Sequence, residues 1–250
     1  MENSKNFIEI EKGTIPLIFS VPHGGTFEPH NVPKRSSGIM GVDKKTIGLT
    51  RELVSYIEIM SEKKNAFIQK PSCIISKIRR CKIDLNRDET EAFHADSKLG
   101  KKVYWNFHKD LEKLISENIK MFNYSLLIDI HGFEKHKRPE GFRDVELVLG
   151  TNNLTSLFPV PIPIKDWDKN IRGKIIRKFI DLGIPIAPSH PRRKEYILTG
   201  GFIIQKYGAS NIPVSQTMQI EFSDIIRVYD EKLKKKVLKA LSEVLLNHIL

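Results

Sequence analysis

The stretch that decides the fold is Leu126-Leu127-Ile128-Asp129-Ile130, which runs straight into His131-Gly132. Four of its five residues are aliphatic, and the run is too short for a typical helix. A short, nearly continuous apolar run is typical of a strand that is covered on both faces, as in parallel sheets. We therefore predict a buried central strand that brings His131 to the end of the sheet.

Apolar runs and amphipathic stretches alternate on both sides of this strand. Further strands are predicted at residues 15–21, 66–69, 73–76, 145–149 and 218–222. Helices are predicted at residues 43–60, 101–121, 168–182 and 229–248. Alternating strands and helices are typical of an α/β protein with a mostly parallel sheet. Residues 1–250 contain no repeat, low-complexity segment or long linker, so we expect one domain.

The composition is that of a globular protein. Apolar residues make up 40% of the 250 residues, which is enough for a sizeable core and excludes wholesale disorder. No stretch approaches the roughly 20 apolar residues of a membrane span, and the N-terminus lacks the apolar region of a signal peptide. Cys73 and Cys81 cannot form a disulfide framework and lack the spacing of a zinc finger. We expect a cytoplasmic protein with no membrane partner.

The charge is strongly basic, with 41 Lys and Arg residues against 30 Asp and Glu residues and a formal net charge of +11. Such an excess suits nucleic acid, a small anionic substrate or simply a solvated basic surface. The basic residues lie in short, scattered groups, without an RNA-binding aromatic motif or a helix-turn-helix pattern. The sequence therefore argues against a direct role in nucleic-acid binding.

Polar side chains that could carry chemistry follow the predicted strands. His23 ends the first strand, His131 ends the central one, and Glu221 lies near the end of a late one. Ligands of open α/β sheets bind beyond the carboxyl ends of the strands. Two histidines and a carboxylate at that edge could hold Zn²⁺ and leave one position for water. Taken singly, a histidine after a strand is more often a hydrogen-bonded structural residue.

Five short motifs follow one another along the chain: Pro22-His23-Gly24-Gly25, Asp84-Leu85-Asn86-Arg87, Asp129-Ile130-His131-Gly132, Gly200-Gly201-Phe202 and Ile220-Glu221-Phe222. Their order is that of the N-formylglutamate amidohydrolase family, which this sequence resembles over residues 15–230. That family is similar in fold and site to the zinc carboxypeptidases and aspartoacylases. The resemblance implies a three-layer α/β/α domain around a mixed, mostly parallel sheet.

The resemblance also implies one zinc ion, with His23 and His131 as ligands. The third ligand is open, because Thr26 stands where the aspartoacylases have a glutamate. We prefer Asp43 and keep Glu28 as the alternative. Asp43 could instead cap the helix that follows it, and Glu28 could be a solvated loop carboxylate.

A substrate carboxylate would be held by Asn86 and Arg87, according to the same resemblance. A guanidinium suits this role because its planar fork of donors fits carboxylate oxygens. Arg87 could alternatively form a structural pair with Asp84. Family members also carry an arginine that polarises the scissile carbonyl, which corresponds here to Arg80 or to its neighbour Arg79.

Two more roles follow from the resemblance. The Gly200-Gly201 pair matches a turn that lines the site, although any such pair is also typical of an ordinary turn. Glu221 matches the general base, which accepts a proton from the metal-activated water and passes it to the leaving amine.

The expected function is a zinc-dependent amidohydrolase that acts on a small carboxylated amide such as an N-acyl amino acid. The motifs leave open the acyl group, the amino acid and the oligomeric state. One alternative is a carboxypeptidase-like hydrolase that trims a peptide. Another is a non-catalytic protein of the same fold that contacts RNA through its basic face.

Overall fold

The computed structural model describes residues 4–65, 68–138, 140, 144–196 and 198–249. These residues form one mixed sheet with helices on both faces. Its strands are β1 (Ile8–Glu11), β2 (Leu17–Val21), β3 (Ser72–Ser76), β4 (Ser125–Phe133), β5 (Leu147–Gly150), β6 (Ile186–Ala187) and β7 (Ser215–Ser223). The α-helices are α1 (Thr46–Asn65), α2 (Glu89–Ala92), α3 (Lys98–Phe122), α4 (Ile171–Asp181), α5 (Phe202–Tyr207) and α6 (Glu231–Ile249).

The strand order is β1-β3-β2-β4-β7-β5-β6. The four central strands β3, β2, β4 and β7 run parallel to one another. At one side β1 is antiparallel to β3, and at the other β5 is antiparallel to β7 while β6 is parallel to β5. The sheet is therefore mixed with a parallel centre, as expected.

Two apolar layers enclose the sheet. In β2 the side chains of Leu17 and Phe19 pack with α1, α4 and α6, whereas Ile18 between them packs with α3 and α5. Successive side chains of a strand point to opposite faces, so a strand that is apolar at consecutive positions must be covered twice. The three-layer α/β/α class is confirmed.

The observed elements depart from the predicted ones mainly at their ends and at the sheet edges. Residues 68 and 69 are irregular rather than a strand, and residues 66 and 67 lie outside the described part of the chain. Helix α4 begins at Ile171 instead of residue 168, because the Asn170 side chain accepts a hydrogen bond from Gly173 N and caps the helix there. The short elements β1, β6, α2 and α5 were not predicted.

The parallel centre of the sheet gathers the polar residues at one edge. His23 follows β2, and His131 lies inside β4 rather than after it, because β4 continues to Phe133. In the neighbouring strand β7, Glu221 is the register partner of His131.

No helix in the described part of the chain has the length and apolar composition of a membrane span.

Candidate functional site

Three buried side chains, His23, Asp43 and His131, meet at the carboxyl edge of the central strands. The Nδ1 atoms of the two histidines lie 3.1 Å apart. Asp43 Oδ2 lies 3.2 Å from Nδ1 of His131 and 3.6 Å from Nδ1 of His23. The candidate ligand atoms all lie within 4.8 Å of one another. Two imidazole nitrogens and one carboxylate oxygen form a donor set that suits zinc and leaves a coordination position open.

Asp43 takes part through its side chain and not as a helix cap. Its Oδ2 accepts a hydrogen bond from the backbone N–H of Gly132 at 3.2 Å in addition to its histidine contacts. Helix α1 begins only at Thr46, whose hydroxyl donates to the backbone carbonyl of Asp43 at 2.8 Å. The helix-cap alternative for the Asp43 carboxylate is therefore wrong.

Glu28, the alternative third ligand, lies outside this group. Its carboxylate pairs with Arg79, whose side chain is 45% exposed, and lies 4.0 Å from Lys34 Nζ. The pairing also separates the two candidate arginines. The side chain of Arg80 is only 11% exposed and donates to Asp84 Oδ2 at 2.9 Å, so Arg80, and not Arg79, faces the histidines.

Each histidine contacts a second, fully buried carboxylate through its other ring nitrogen. Nε2 of His23 lies 2.6 Å from Asp84 Oδ1, and Nε2 of His131 lies 2.7 Å from Asp129 Oδ2. A proton on each Nε2 satisfies these carboxylates and leaves a lone pair on each Nδ1. The two Nδ1 atoms, 3.1 Å apart, are then placed to share one cation, and carboxylate–histidine pairs of this kind orient metal ligands. The donor set therefore fits a divalent metal.

The role of these two carboxylates was missed from sequence. Asp129 stands two residues before His131 in β4, so both side chains point to the same face of the sheet. Asp84 opens the motif that contains Asn86 and Arg87. The two-residue spacing of Asp129 and His131 could have indicated their contact from sequence. The contact of Asp84 with His23 could not be read in this way, because the two residues are 61 positions apart.

The electrostatics of the group keep its carboxylates charged. Burial alone would raise the pKa of Asp43, but hydrogen bonds and charge from His131 and His23 hold it well below its ordinary range. Burial would likewise raise the pKa of Asp84, yet His23 and Arg80 lower it far below its usual value. Burial would lower the pKa of His131, but the Asp129 and Asp43 carboxylates outweigh it and raise that pKa well above its ordinary value. The site concentrates negative charge where a cation would bind.

Asp84 also organises the arginines around the site. Besides Arg80 it lies 3.4 Å from Arg35 Nη2 and 3.8 Å from Arg87 Nε. Arg35 is buried, and its guanidinium donates to the backbone carbonyls of Ile39, Arg80 and Glu91. One carboxylate therefore faces three guanidinium groups, and those of Arg80 and Arg87 offer positive charge to an anionic ligand. Arg35 was also missed from sequence.

A cleft of about 490 Å³ opens over the histidines. Its walls include Ile39, Leu198 and Phe202 as apolar side chains and Gln205 and Gln219 as amides. The residues predicted for the site that line it are His23, Arg80, Asn86, Arg87, His131, Gly200, Gly201 and Glu221. The structure thus brings together at one cleft side chains that are scattered along the sequence.

Asn86 and Arg87 differ in the exposure of their side chains and in how far the protein itself occupies their polar atoms. Asn86 is buried, its Oδ1 accepts from Ile203 N at 2.8 Å, and its Nδ2 lies 3.2 Å from His131 Nε2. The Arg87 side chain is 41% exposed, and its Nη1 lies 3.7 Å from Glu91 Oε2. The guanidinium of Arg87 is accessible from the cleft, whereas the amide of Asn86 is largely engaged by the protein.

The turn at Gly200 and Gly201 needs both glycines. Gly200 has φ of +114°, and a Cβ there would lie 1.9 Å from Ile204 Cδ1. A Cβ on Gly201 would lie 2.2 Å from Asn86 Nδ2. The turn therefore packs directly against Asn86 at the wall of the cleft.

Glu221 lies beside the histidines, with its side chain 13% exposed. Its Oε1 accepts a hydrogen bond from Gln219 Nε2 at 3.0 Å, and its Oε2 lies 3.9 Å from Arg138 Nη2. Because Glu221 and His131 share a register position on adjacent strands, the carboxylate faces the same cleft as the candidate metal ligands.

The same fold occurs in solved structures of low sequence identity. N-formylglutamate amidohydrolase from Ralstonia eutropha JMP134 matches with a TM-score of 0.62 over 96% of this chain and 96% of its own, at 15% identity. A gene product of Agrobacterium tumefaciens matches with a TM-score of 0.55 over 97% of this chain and 93% of its own, at 13% identity. No protein-family model and no curated protein matches the sequence. The chain therefore has the fold of an N-formylglutamate amidohydrolase.

Proposed function

We propose that this protein is a metal-dependent hydrolase that cleaves the amide bond of a small N-acyl amino acid, with zinc as the metal. The observation that carries the proposal is the grouping of His23, Asp43 and His131, whose two histidines line the same cleft as Glu221. A metal-ligand set beside an independent carboxylate is the arrangement that hydrolysis by an activated water needs. The proposal treats the chain as one hydrolytic domain that acts in the cytoplasm on a carboxylated amide.

The metal would be held by His23 Nδ1, His131 Nδ1 and a carboxylate oxygen of Asp43. Zinc bound by three protein ligands lowers the pKa of a water in its open position and polarises a substrate carbonyl. Asp84 and Asp129 fix the orientation of the two imidazole rings, since each accepts from the ring nitrogen opposite the ligand atom.

Glu221 would carry the proton in both directions. As general base it accepts a proton from the attacking water, and as general acid it delivers that proton to the amine that leaves. Its position beside His131 supports this role, because the accepting oxygen has to lie within hydrogen-bond reach of a water activated at the metal. The Glu221 carboxylate accepts a hydrogen bond from Gln219 at 3.0 Å and lies 3.9 Å from Arg138 Nη2.

Arginines supply the remaining functions of the site. Arg87 offers its guanidinium to the α-carboxylate of the substrate from the exposed wall of the cleft, with Asn86 beside it. Arg80, held by Asp84, stabilises negative charge that develops on the carbonyl oxygen during attack. The basic net charge of +11 favours the approach of anionic substrates.

The volume of the cleft favours a second candidate, a hydrolase that releases the C-terminal residue of a peptide. A cleft of about 490 Å³ lies within the range of sites for ligands much larger than a formylated amino acid. An acyl group with an apolar side chain could contact Ile39 and Phe202 at its rim. The chemistry would be the same, and only the acyl group would differ.

The test combines metal content with a panel of substrates. Protein purified without added metal should contain about one zinc per chain, and removal of the metal by a chelator should abolish turnover until zinc is restored. The panel should contain formyl, acetyl, succinyl and peptidyl amides of amino acids. Hydrolysis of small acyl amides supports the first candidate, and hydrolysis of peptides alone supports the second. Absence of both metal and turnover, with salt-sensitive retention of RNA, would instead support a non-catalytic binding protein.

A further inference from the structure

We infer that Gln219 is a positioning residue, which holds the Glu221 carboxylate and the Gly200–Gly201 turn in a fixed relation. The inference rests on the proposed function for the role of Glu221. The contacts that carry it belong to Gln219 itself and hold whatever the substrate proves to be.

Both ends of the Gln219 amide are occupied at the cleft. Nε2 donates to Glu221 Oε1 at 3.0 Å, and Oε1 accepts from Gly201 N at 2.7 Å. The residue is 3% exposed and lines the cleft. Residues two apart in a strand point to the same face, so β7 places Gln219 beside Glu221 by its geometry alone.

The orientation of this amide is fixed by its neighbours. A carboxylate only accepts and a backbone N–H only donates. If the amide were turned over, its oxygen would face the Glu221 carboxylate and its NH2 group would face the N–H of Gly201. Both contacts would then be repulsive, so the amide holds the two partners in one arrangement.

The bridge limits the freedom of Glu221. A glutamate side chain has several rotatable bonds, and proton transfer requires its carboxylate within hydrogen-bond reach of the reacting atoms. Gln219 fixes one oxygen, Oε1, by donating a hydrogen bond to it at 3.0 Å. The carboxylate is thereby kept in place before the substrate binds.

The other end of the bridge holds the turn that lines the cleft. Gly201 directly precedes α5, and its N–H donates to Gln219. Two residues later, the N–H of Ile203 donates to Asn86 Oδ1. Gln219 and Asn86 therefore hold the same turn from two sides. These contacts link Glu221 to the turn and the turn to the Asn86 amide, which lies beside His131.

Two substitutions separate the two ends of the bridge. Gln219→Glu keeps an acceptor for Gly201 N but replaces the donor to Glu221 by a second carboxylate. We expect kcat to fall by about 10–100-fold, as for other groups that orient catalytic residues, with little change in KM or zinc content. The acidic limb of the kcat pH profile should move to higher pH, because a neighbouring like charge raises a carboxyl pKa. Gln219→Leu removes the hydrogen bonds to both Glu221 and Gly201, so it should also speed hydrogen exchange at the Gly201 amide.

Gln216→Leu is the matched control. Gln216 lies in the same strand at its opposite end, where its Oε1 accepts from Tyr124 OH at 3.0 Å. This variant perturbs β7 to a similar degree but leaves the cleft alone. Its kcat, its pH profile and the exchange rate of Gly201 should match those of the wild-type protein.

The failure of this inference can be distinguished from failure of the proposed function. If the wild-type protein hydrolyses nothing in the panel, the proposed function fails. The position of the Glu221 side chain in crystals of Gln219→Leu and the exchange rate of Gly201 would then still decide the bridge. A Glu221 carboxylate that keeps its place, or a Gly201 amide that exchanges at the wild-type rate in Gln219→Leu, overturns the inference. So does a wild-type kcat and pH profile in Gln219→Glu.

Discussion

His131 of β4 and Glu221 of β7 occupy the same register position on neighbouring parallel strands. A candidate metal ligand and a candidate proton carrier are therefore held side by side by backbone hydrogen bonds, with no loop between them. A site built on strands is more rigid than one built on loops. The relation lets the two roles be separated by experiment, since each side chain can be replaced without moving the other.

Replacement of His131 by alanine should abolish stoichiometric metal binding. The variant loses one of the three candidate ligand atoms, while the apolar layers on both sides of β4 remain. Zinc content by mass spectrometry and the far-UV circular dichroism spectrum are the measurements. His94→Ala is the control, because His94 lies on the surface and contacts Asp96. Full metal occupancy in His131→Ala would show that the site is misassigned.

The third ligand can be identified by comparing two carboxylates. Asp43→Asn should weaken zinc binding strongly, because a neutral amide oxygen is a poorer ligand than a carboxylate. Glu28→Gln should change zinc affinity little, because Glu28 pairs with Arg79. Competition with a chromogenic chelator measures both affinities. The opposite order would transfer the ligand role to Glu28.

Glu221→Gln should separate chemistry from metal binding. The amide keeps the shape of the side chain but cannot accept the proton, so turnover should fall by about 10²–10⁴-fold. Zinc content should stay at the wild-type level, because Glu221 is not among the ligand atoms that cluster with the histidines. Steady-state kinetics on the best substrate of the panel provide the measurement. Wild-type turnover in this variant would exclude Glu221 as the general base.

Arg87→Lys should raise KM for substrates with a free α-carboxylate. An ammonium group is a point donor and cannot reproduce the paired N–H groups of a guanidinium. The same substitution should have little effect on a substrate whose carboxylate is replaced by an amide. The measurement is the KM of the wild-type protein and of Arg87→Lys for each of the two substrates. Equal effects on both would place Arg87 in a structural role, such as its contact with Asp84.

His108 should make stability depend on pH. It is buried among aromatic side chains with Nδ1 3.0 Å from Tyr207 OH, and burial lowers its pKa to about 3. The unfolded chain binds a proton as the pH falls through about 6.5, whereas the folded chain does not until about pH 3. Stability due to the neutral ring is therefore present at neutral pH and is lost as the pH falls between these values.

Urea unfolding at pH 7 and pH 5 measures this effect. Between those values the free energy of unfolding of the wild-type protein should fall by about 2 kcal/mol more than that of His108→Gln. His94→Gln, on the surface, should behave as the wild-type protein does. An equal fall in His108→Gln would contradict the prediction.

The strands and helices that can be predicted from sequence are those whose burial follows a periodic pattern of apolar residues. The apolar run at residues 126–130 and the helical spacing at 101–121 mark β4 and α3 because burial there depends on one periodic pattern. Strand β1 alternates isoleucine and glutamate over four residues, which is too short for the pattern to be distinctive. Helix α5, with six residues, is likewise below the length at which periodicity is readable.

The candidate site divides in a similar way. Residues that stand in recognisable motifs, such as His23, His131 and Glu221, were predicted and lie together at the cleft. Arg35 was not predicted, because its importance lies in contacts with backbone carbonyls as far as 56 residues away. Gln219 was not predicted either, because a glutamine in a strand has no distinctive pattern until its two partners are known.

The distance along the chain between the two histidines that are candidate metal ligands would couple metal affinity to folding. His23 and His131 are 108 residues apart in sequence and meet only when β2 and β4 are paired. An unfolded chain would have to close that long loop to offer both nitrogens, so it competes poorly for the ion. An ion that binds only the folded state at a free concentration of 100 Kd adds about 2.7 kcal/mol to stability. Zinc should therefore raise the melting temperature and suppress global unfolding, which would make the ion a structural support as well as a reagent.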